Sequence, residues 1–285
     1  MFRVALGSCV LVTLVPIVTS GVLPVIWTDA GYRNVSEKNW LFAYTDAASL
    51  TYAGILVGAL VVVGLGGRVT AFACIQILIA LFSINPESGG GHDRLLTNAL
   101  WLLVLGHSTA TLSLDCRLRT GRWTSASPVA AWPRWLAVYQ LVLVYFTTGT
   151  QKIGAEWWPW GGLSAIWYSL QIPHWQRTSF DWLAPWYPLT QAATAGTMLF
   201  ELGSPLLLVA FWYRATRDRP GRLRAAFNRV DFRRAFALAG LSLHLGILLT
   251  MELGPFSAVT SAFYLCLWSG DEHRGLYGSG ERAVN

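Results

Sequence analysis

The chain of 285 residues carries two lysines against nineteen arginines, and one of the two, Lys152, stands where chemistry is the simplest reason for an amine. The run Trp135-Leu-Ala-Val-Tyr-Gln-Leu-Val-Leu-Val-Tyr-Phe-Thr-Thr-Gly-Thr-Gln151 reads as one apolar helix of membrane length that ends in the Lys152 ammonium group. It passes at once into Ile153-Gly-Ala-Glu-Trp-Trp-Pro-Trp160, a turn crowded with indoles. Ionisable groups on spanning helices cluster at functional sites, and low-dielectric surroundings disfavour an ammonium, which frees an amine to act as a base. The plainer alternative is a lysine snorkelling to the interface from a helix end.

A second group points to a partner. Thr190, Thr194, Thr197, Glu201 and Ser204 recur at spacings of four, three, four and three, a polar stripe of helical period. A carboxylate near the bilayer midplane costs about 2.5–3.5 kcal/mol, so Glu201 is expected to be paired, protonated or facing a wet cavity. A structural ion pair satisfies the same constraint. On the Lys152 helix, Gln140, Thr147 and Gln151 lie within about 40° of one another, with Tyr145, Thr148 and Lys152 on the adjoining strip. This polar sector is expected to face protein or a cavity. His244 sits inside Gly240-Leu-Ser-Leu-His-Leu-Gly-Ile247, His107 in Gly106-His-Ser-Thr-Ala-Thr111, and His174 in the tryptophan-rich segment. Each is a candidate for proton handling, and each is equally read as a hydrogen-bonded packing residue. None has the HxxxH or HExxH spacing of a metal site.

These residues need helices in lipid to position them. The hydrophobic share is 54%, only 13% of residues are charged, and there are 15 tryptophans. A soluble domain carries about a quarter charged residues. The composition predicts an all-α polytopic integral membrane protein: a single domain over residues 1–285 built as a bundle of about eight transmembrane helices. Apolar runs cover residues 3–27, 49–66, 69–84, 95–114, 135–152, 189–213, 235–252 and 254–269. Pro16 and Pro205 are expected to kink the first and sixth. Residues 1–20 also have the outline of a cleavable signal, with Arg3 ahead of an apolar run and small residues before Gly21.

With both termini cytoplasmic, sixteen basic residues fall inside and five outside, as the positive-inside rule requires. The inside loops are then the arginine-rich segments 115–134 and 214–234, whose expected partner is the anionic lipid of the inner leaflet rather than nucleic acid. The extracytoplasmic segments are 28–48 and 153–188. The second holds seven tryptophans and reads as a re-entrant or interfacial element, with a short helix expected over 162–171. Lys152 thereby falls on the extracytoplasmic side of a multi-pass cell-membrane protein. Of the four cysteines, three lie in apolar runs and Cys116 borders an arginine-rich loop, so a structural disulfide is not expected. No Walker loop, dinucleotide turn, GxSxG elbow or Cys-based redox pair is present.

Several segments together resemble a known family. Phe2-Arg-Val-Ala-Leu-Gly7, Trp27-Thr-Asp-Ala-Gly31, Leu112-Ser-Leu-Asp115 and above all Tyr145-Phe-Thr-Thr-Gly-Thr-Gln-Lys152 followed by Trp157 are similar to the HTTM domain. This is the membrane portion of the vitamin K-dependent gamma-carboxylase and its bacterial relatives. Phe200-Glu-Leu-Gly-Ser-Pro205 and the stretch from His244 to Phe256 fit its later helices. The resemblance implies that Lys152 is the base that deprotonates a reduced quinone, menaquinol or a vitamin K-like molecule, on the extracytoplasmic side. Glu201 and His244 would assist as catalytic residues, and Tyr145, Thr148, Gln151, Trp157, Trp160 and His107 would bind substrate or quinone. The chain departs from the carboxylase at Gln151, where a second lysine precedes the base, and at Ala110, where an assisting histidine falls. The resemblance equally implies an alternative: a maturation or export partner of a secreted peptide toxin, like the bacterial proteins needed for sporulation-delaying toxins. Its partner would then be that peptide or a small subunit. A transporter is the third reading, disfavoured by the lack of repeated halves.

Overall fold

The computed structural model describes residues 1–28, 39–85, 89–270 and 272. Arg33, Lys38, Arg274 and Arg282, which bear on the topology, and residues 29–38 of the 28–48 segment lie outside the described residues. The fold is helical, and among the described residues the only strand-like pairing is an isolated antiparallel bridge between Gln176 and Met251. The chain divides into two compact units, Met1–Ala137 with Ala258–Asn285, and Val138–Ser257.

The first unit opens with α1 (Phe2–Thr19), α2 (Ala47–Val63), α3 (Gly67–Ile84), α4 (Gly91–Leu105) and α5 (Leu114–Thr120). Asp46 starts α2 by accepting the Ser49 amide at 2.9 Å, and Gly64 ends it in the left-handed region at φ 74°. Small residues let α1 and α2 touch backbone to side chain. A Cβ added at Gly58 would lie 2.8 Å from Val10 Cγ1, and one at Gly54 would lie 2.7 Å from Leu14 Cδ1. Two glycines four apart are the pattern by which helices in lipid pack closely. Gly58→Leu is therefore expected to destabilise the protein by about 3 kcal/mol, read as a lower thermal midpoint in detergent.

Arg3 has a structural role within this unit. It is buried, and its guanidinium donates to the carbonyls of Val61, Val62 and Leu112 and to that of Ser108 at 3.2 Å. Those at 61 and 62 belong to the last turn of α2, where carbonyls have no helical partner. The Phe2–Gly7 and Leu112–Asp115 segments of the family resemblance thus meet through one arginine. Asp115 extends the same junction by accepting the Gly66 amide at 3.0 Å.

The second unit begins within α6 (Trp132–Gln151), which crosses the boundary between units. It continues through α7 (Ala165–Leu170), α8 (Tyr187–Gly203), α9 (Leu206–Ala215), α10 (Arg222–Val230) and α11 (Phe232–Thr250). The last helix, α12 (Phe256–Phe263), returns the chain to the first unit and runs into a 3-10 turn at Tyr264–Leu267. The short helix expected over 162–171 is α7. The tryptophan-rich segment is strapped to the end of α11: Arg177 N donates to Thr250 O at 3.2 Å, Glu252 N to Trp175 O at 2.6 Å, and the Arg177 and Glu252 side chains pair at 2.7 Å. Between α10 and α11, Asp231 takes the left-handed conformation, and its hydrogen bond to Arg233 holds its carboxyl below the usual range.

Among the described residues, length and composition support three or four of the eight expected spans. Phe2–Thr19, Gly67–Ile84 and Phe232–Thr250 are long and apolar enough to cross a membrane, and the bent pair Asp181–Gly203 with Leu206–Ala215 adds a fourth if it is one span. The run 95–114 gives a different result. The helix stops at Leu105 because Gly106 turns extended and Ser113 caps a separate α5, accepting the Cys116 amide at 3.0 Å. At 15 residues α4 is about 22 Å long, short of a hydrocarbon core of about 30 Å. The run 254–269 is shortened in the same way, to α12 and its 3-10 turn. The expected break at Pro205 is present as a 47° bend between α8 and α9, since proline has no amide hydrogen to continue the ladder.

Candidate functional site

The chemistry-bearing residues of the second unit gather on the inward faces of α6, α8 and α11. On α6 the buried positions Val138, Leu141, Val142, Tyr145 and Gly149 follow helical spacing, and Lys152 comes three residues after the last. On α8 the stripe read from sequence is buried throughout: Thr190, Thr194, Thr197, Glu201 and Ser204 are each less than 9% exposed. The hydroxyls of Thr190, Thr194 and Ser204 are hydrogen-bonded. Thr194 Oγ1 accepts the Ile166 amide at 3.2 Å, and Ser204 Oγ donates to the Val142 carbonyl of α6 at 3.2 Å.

Gly149 explains how the two helices come together. A Cβ there would sit 3.0 Å from Glu201 Cβ and 3.1 Å from Leu202 Cδ2, so hydrogen alone fits without displacing α8. One turn further on, Lys152 Nζ donates to Glu201 Oε2 in an ion pair whose side chains are 14% and 7% exposed. The Gly149-x-x-Lys152 spacing is thus a packing device and a charge placed one turn apart. Trp157 covers the ammonium with its ring centroid 4.5 Å from Nζ. Trp158 fixes the turn by donating its indole N–H to the Lys152 carbonyl at 3.1 Å, satisfying a helix-end acceptor.

A second polar pair lies about 10 Å back along α6, seven residues at 1.5 Å each. Tyr145 Oη and His244 Nε2 share a hydrogen bond of 2.7 Å, and His244 is 2% exposed. Phe200 and Phe236 stand edge-on to the Tyr145 ring at 4.8 and 6.2 Å, and Phe256 lies 5.5 Å from the imidazole. Among the described residues His244 Nδ1 has no hydrogen-bond partner, although the atom is buried. Leaving such an atom unsatisfied costs free energy, so a polar partner at Nδ1 would be stabilising.

Other expected members do not join these pairs. The polar sector of α6 is not turned inward: Thr148 and Gln151 are exposed, and Gln140 and Thr147 are half-buried. The reason is local. Thr147 and Thr148 return their hydroxyls to the carbonyls of Leu143 and Val144 at 2.7 Å, so neither needs a partner across the bundle. Trp160 is 75% exposed and stacks on Trp158 with ring centroids 5.2 Å apart. His107 lies in the exposed turn after α4, in the first unit. His174 packs beside Trp175. Sequence reasoning did not single out Phe200, Phe236 and Trp158. The first two carried a signal, since Phe200 adjoins Glu201, and Arg233, Phe236, Ala237, Gly240 and His244 form the buried stripe of α11.

Among the described residues no group of three or more His, Cys, Asp or Glu gathers as a metal site would require, and all four cysteines are buried free thiols. No curated protein and no solved structure matches the chain. The HTTM domain model does, over residues 1–220. Lys152, Glu201 and Tyr145 fall inside the matched stretch and His244 beyond it. With some three quarters of its length matched, the chain belongs to the HTTM domain family.

Proposed function

We propose that the protein is a membrane enzyme acting on a reduced lipid quinone, with Lys152 as the base and Glu201 as the carboxylate that orients it. The observation that carries this reading is the Lys152–Glu201 pair: a shielded amine, hydrogen-bonded to a shielded carboxylate, beneath an indole. A snorkelling lysine would reach toward water instead. The resemblance of Tyr145–Lys152 to the carboxylase membrane domain supports the same role.

The residues fit a hydroxylated aromatic ring. Trp157 offers a flat apolar face next to the amine, and the unpartnered His244 Nδ1 offers a buried hydrogen-bonding atom. A reduced quinone supplies acidic ring hydroxyls and the electrons released on its oxidation. The protein's part is proton handling. Lys152 Nζ, once its own proton has passed along the hydrogen bond to Glu201 Oε2, presents a lone pair that accepts the hydroxyl proton. Accepting that proton raises the net charge of the pair by one, and Glu201 holds the displaced proton until its departure restores neutrality. The Tyr145–His244 pair provides a second site where a proton can move between Oη and Nε2.

Photo-crosslinking of the membrane-embedded protein with an azido-naphthoquinone checks the binding claim. The expected result is modification of peptides spanning Tyr145–Trp160 and Phe200–Ser204, suppressed by excess menaquinone. Modification confined to lipid-facing residues such as Leu199 and Leu249, insensitive to menaquinone, would contradict it. A second reading, maturation of a secreted peptide without quinone chemistry, is favoured by the exposed indoles of Trp160, Trp182 and Trp186. It expects peptide handling to survive the loss of Lys152.

A further inference from the structure

The α10 helix turns one side to its own unit and leaves the other uncovered. Phe227 packs against Tyr213 and Phe232 with ring centroids 5.4 and 5.2 Å apart. Arg224 lies over the Trp212 and Tyr213 rings and donates to Thr216 Oγ1 at 3.1 Å, and Asn228 Nδ2 donates to the Tyr213 carbonyl at 3.1 Å. These three residues occupy about 100° of the helix circumference. The outer arc carries Arg229, Arg222, Ala226, Val230 and Leu223 in that angular order, contiguous over about 120° and all exposed. Leu223 is 67% and Val230 68% exposed.

Two features of this arc decide what covers it. Its charge is of one sign: between residues 214 and 234 eight arginines stand against two aspartates, and Asp231 is already engaged by Arg233 and Arg234. Its apolar pair lies along one edge of the cationic strip rather than opposite it. A polyanion such as nucleic acid would use the arginines and leave Leu223 and Val230 in water. A leaflet surface uses both, because acyl chains begin a few ångströms below the phosphates.

We propose that α10 lies in the headgroup layer of an anionic leaflet, with Leu223 and Val230 reaching the acyl boundary and Arg222 and Arg229 meeting lipid phosphates. Phe227, Arg224 and Asn228 hold the helix in that plane from the protein side. The surface fastens the α9–α11 end of the second unit to the membrane, and it does not depend on the quinol reading.

The test uses the full-length protein in nanodiscs of phosphatidylcholine alone or mixed with phosphatidylglycerol. A spin label at Val230→Cys is read by its accessibility to oxygen and to a water-soluble nickel complex, and the native thiols are buried and do not compete. The exposed position 217, labelled as Arg217→Cys, provides the aqueous reference. With phosphatidylglycerol present, the label is expected about 5–10 Å into the headgroup–acyl boundary. Arg222→Gln and Arg229→Gln should each lower the ratio of surface-bound to water-exposed label about fivefold. A label as nickel-accessible as position 217 would overturn the proposal. So would protection from both probes, which means protein cover, or a depth indifferent to lipid charge and to both arginines.

Discussion

Glu201→Leu alone is expected to destabilise the protein by about 3–5 kcal/mol, and Lys152→Met alone by a similar amount, while the double variant recovers most of the loss. Each single change leaves one charge without its counter-ion in a place where water is scarce, for the side chains are 14% and 7% exposed. The desolvation cost of the orphan then exceeds the value of the lost hydrogen bond. Removing both charges eliminates that cost and leaves two apolar side chains of similar volume between α6 and α8. Thermal or denaturant unfolding in a fixed detergent measures the four members of the cycle, and the coupling energy is the quantity of interest. A lysine that simply snorkels would respond otherwise. Freed of Glu201 it would extend to the interface, and Glu201→Leu would cost under about 1 kcal/mol.

Loss of the amine is also expected to lower the rate of quinol oxidation by about 10²–10⁴-fold, the range that a positioned general base contributes. Lys152→Met keeps the length of the side chain and removes its lone pair, so packing beneath Trp157 is retained. Lys152→Arg keeps the charge and the pairing with Glu201 but cannot give up its proton, and it should be as inactive as the methionine variant while staying folded. That separation of stability from activity distinguishes a base from a structural cation. Turnover measured with a reduced naphthoquinone in proteoliposomes provides the rates.

Much of the site could be read from residue spacing. The Thr190–Ser204 stripe places Glu201 on a buried face from spacing alone, because polar residues repeated at helical period in an apolar helix have to be turned from lipid. Pro205 marked the break between α8 and α9 for a similarly local reason. The α6 polar sector misled, because a threonine hydroxyl can satisfy itself on its own helix and then needs no inward face. Arg3 has a role that counting charges does not reveal. It is a buried tie for the carbonyls that end α2, and that role depends on Gly64 and Leu112 far away in sequence. The Tyr145–His244 bond joins residues 99 apart, and no periodicity on either helix reports the pairing. The number of spans is the least legible feature: apolar composition marks a run as buried, while the turn at Gly106 decides that α4 stops short.

One measurement tests the role of Lys152 as a base most directly. Oxygen-dependent oxidation of menaquinol is followed in nanodiscs holding either the wild type or the folded Lys152→Met/Glu201→Leu double variant. The wild type is predicted to exceed the protein-free rate, and the double variant to return to that background while unfolding at nearly the wild-type temperature. A double variant that oxidises menaquinol as fast as the wild type would contradict the assignment of Lys152.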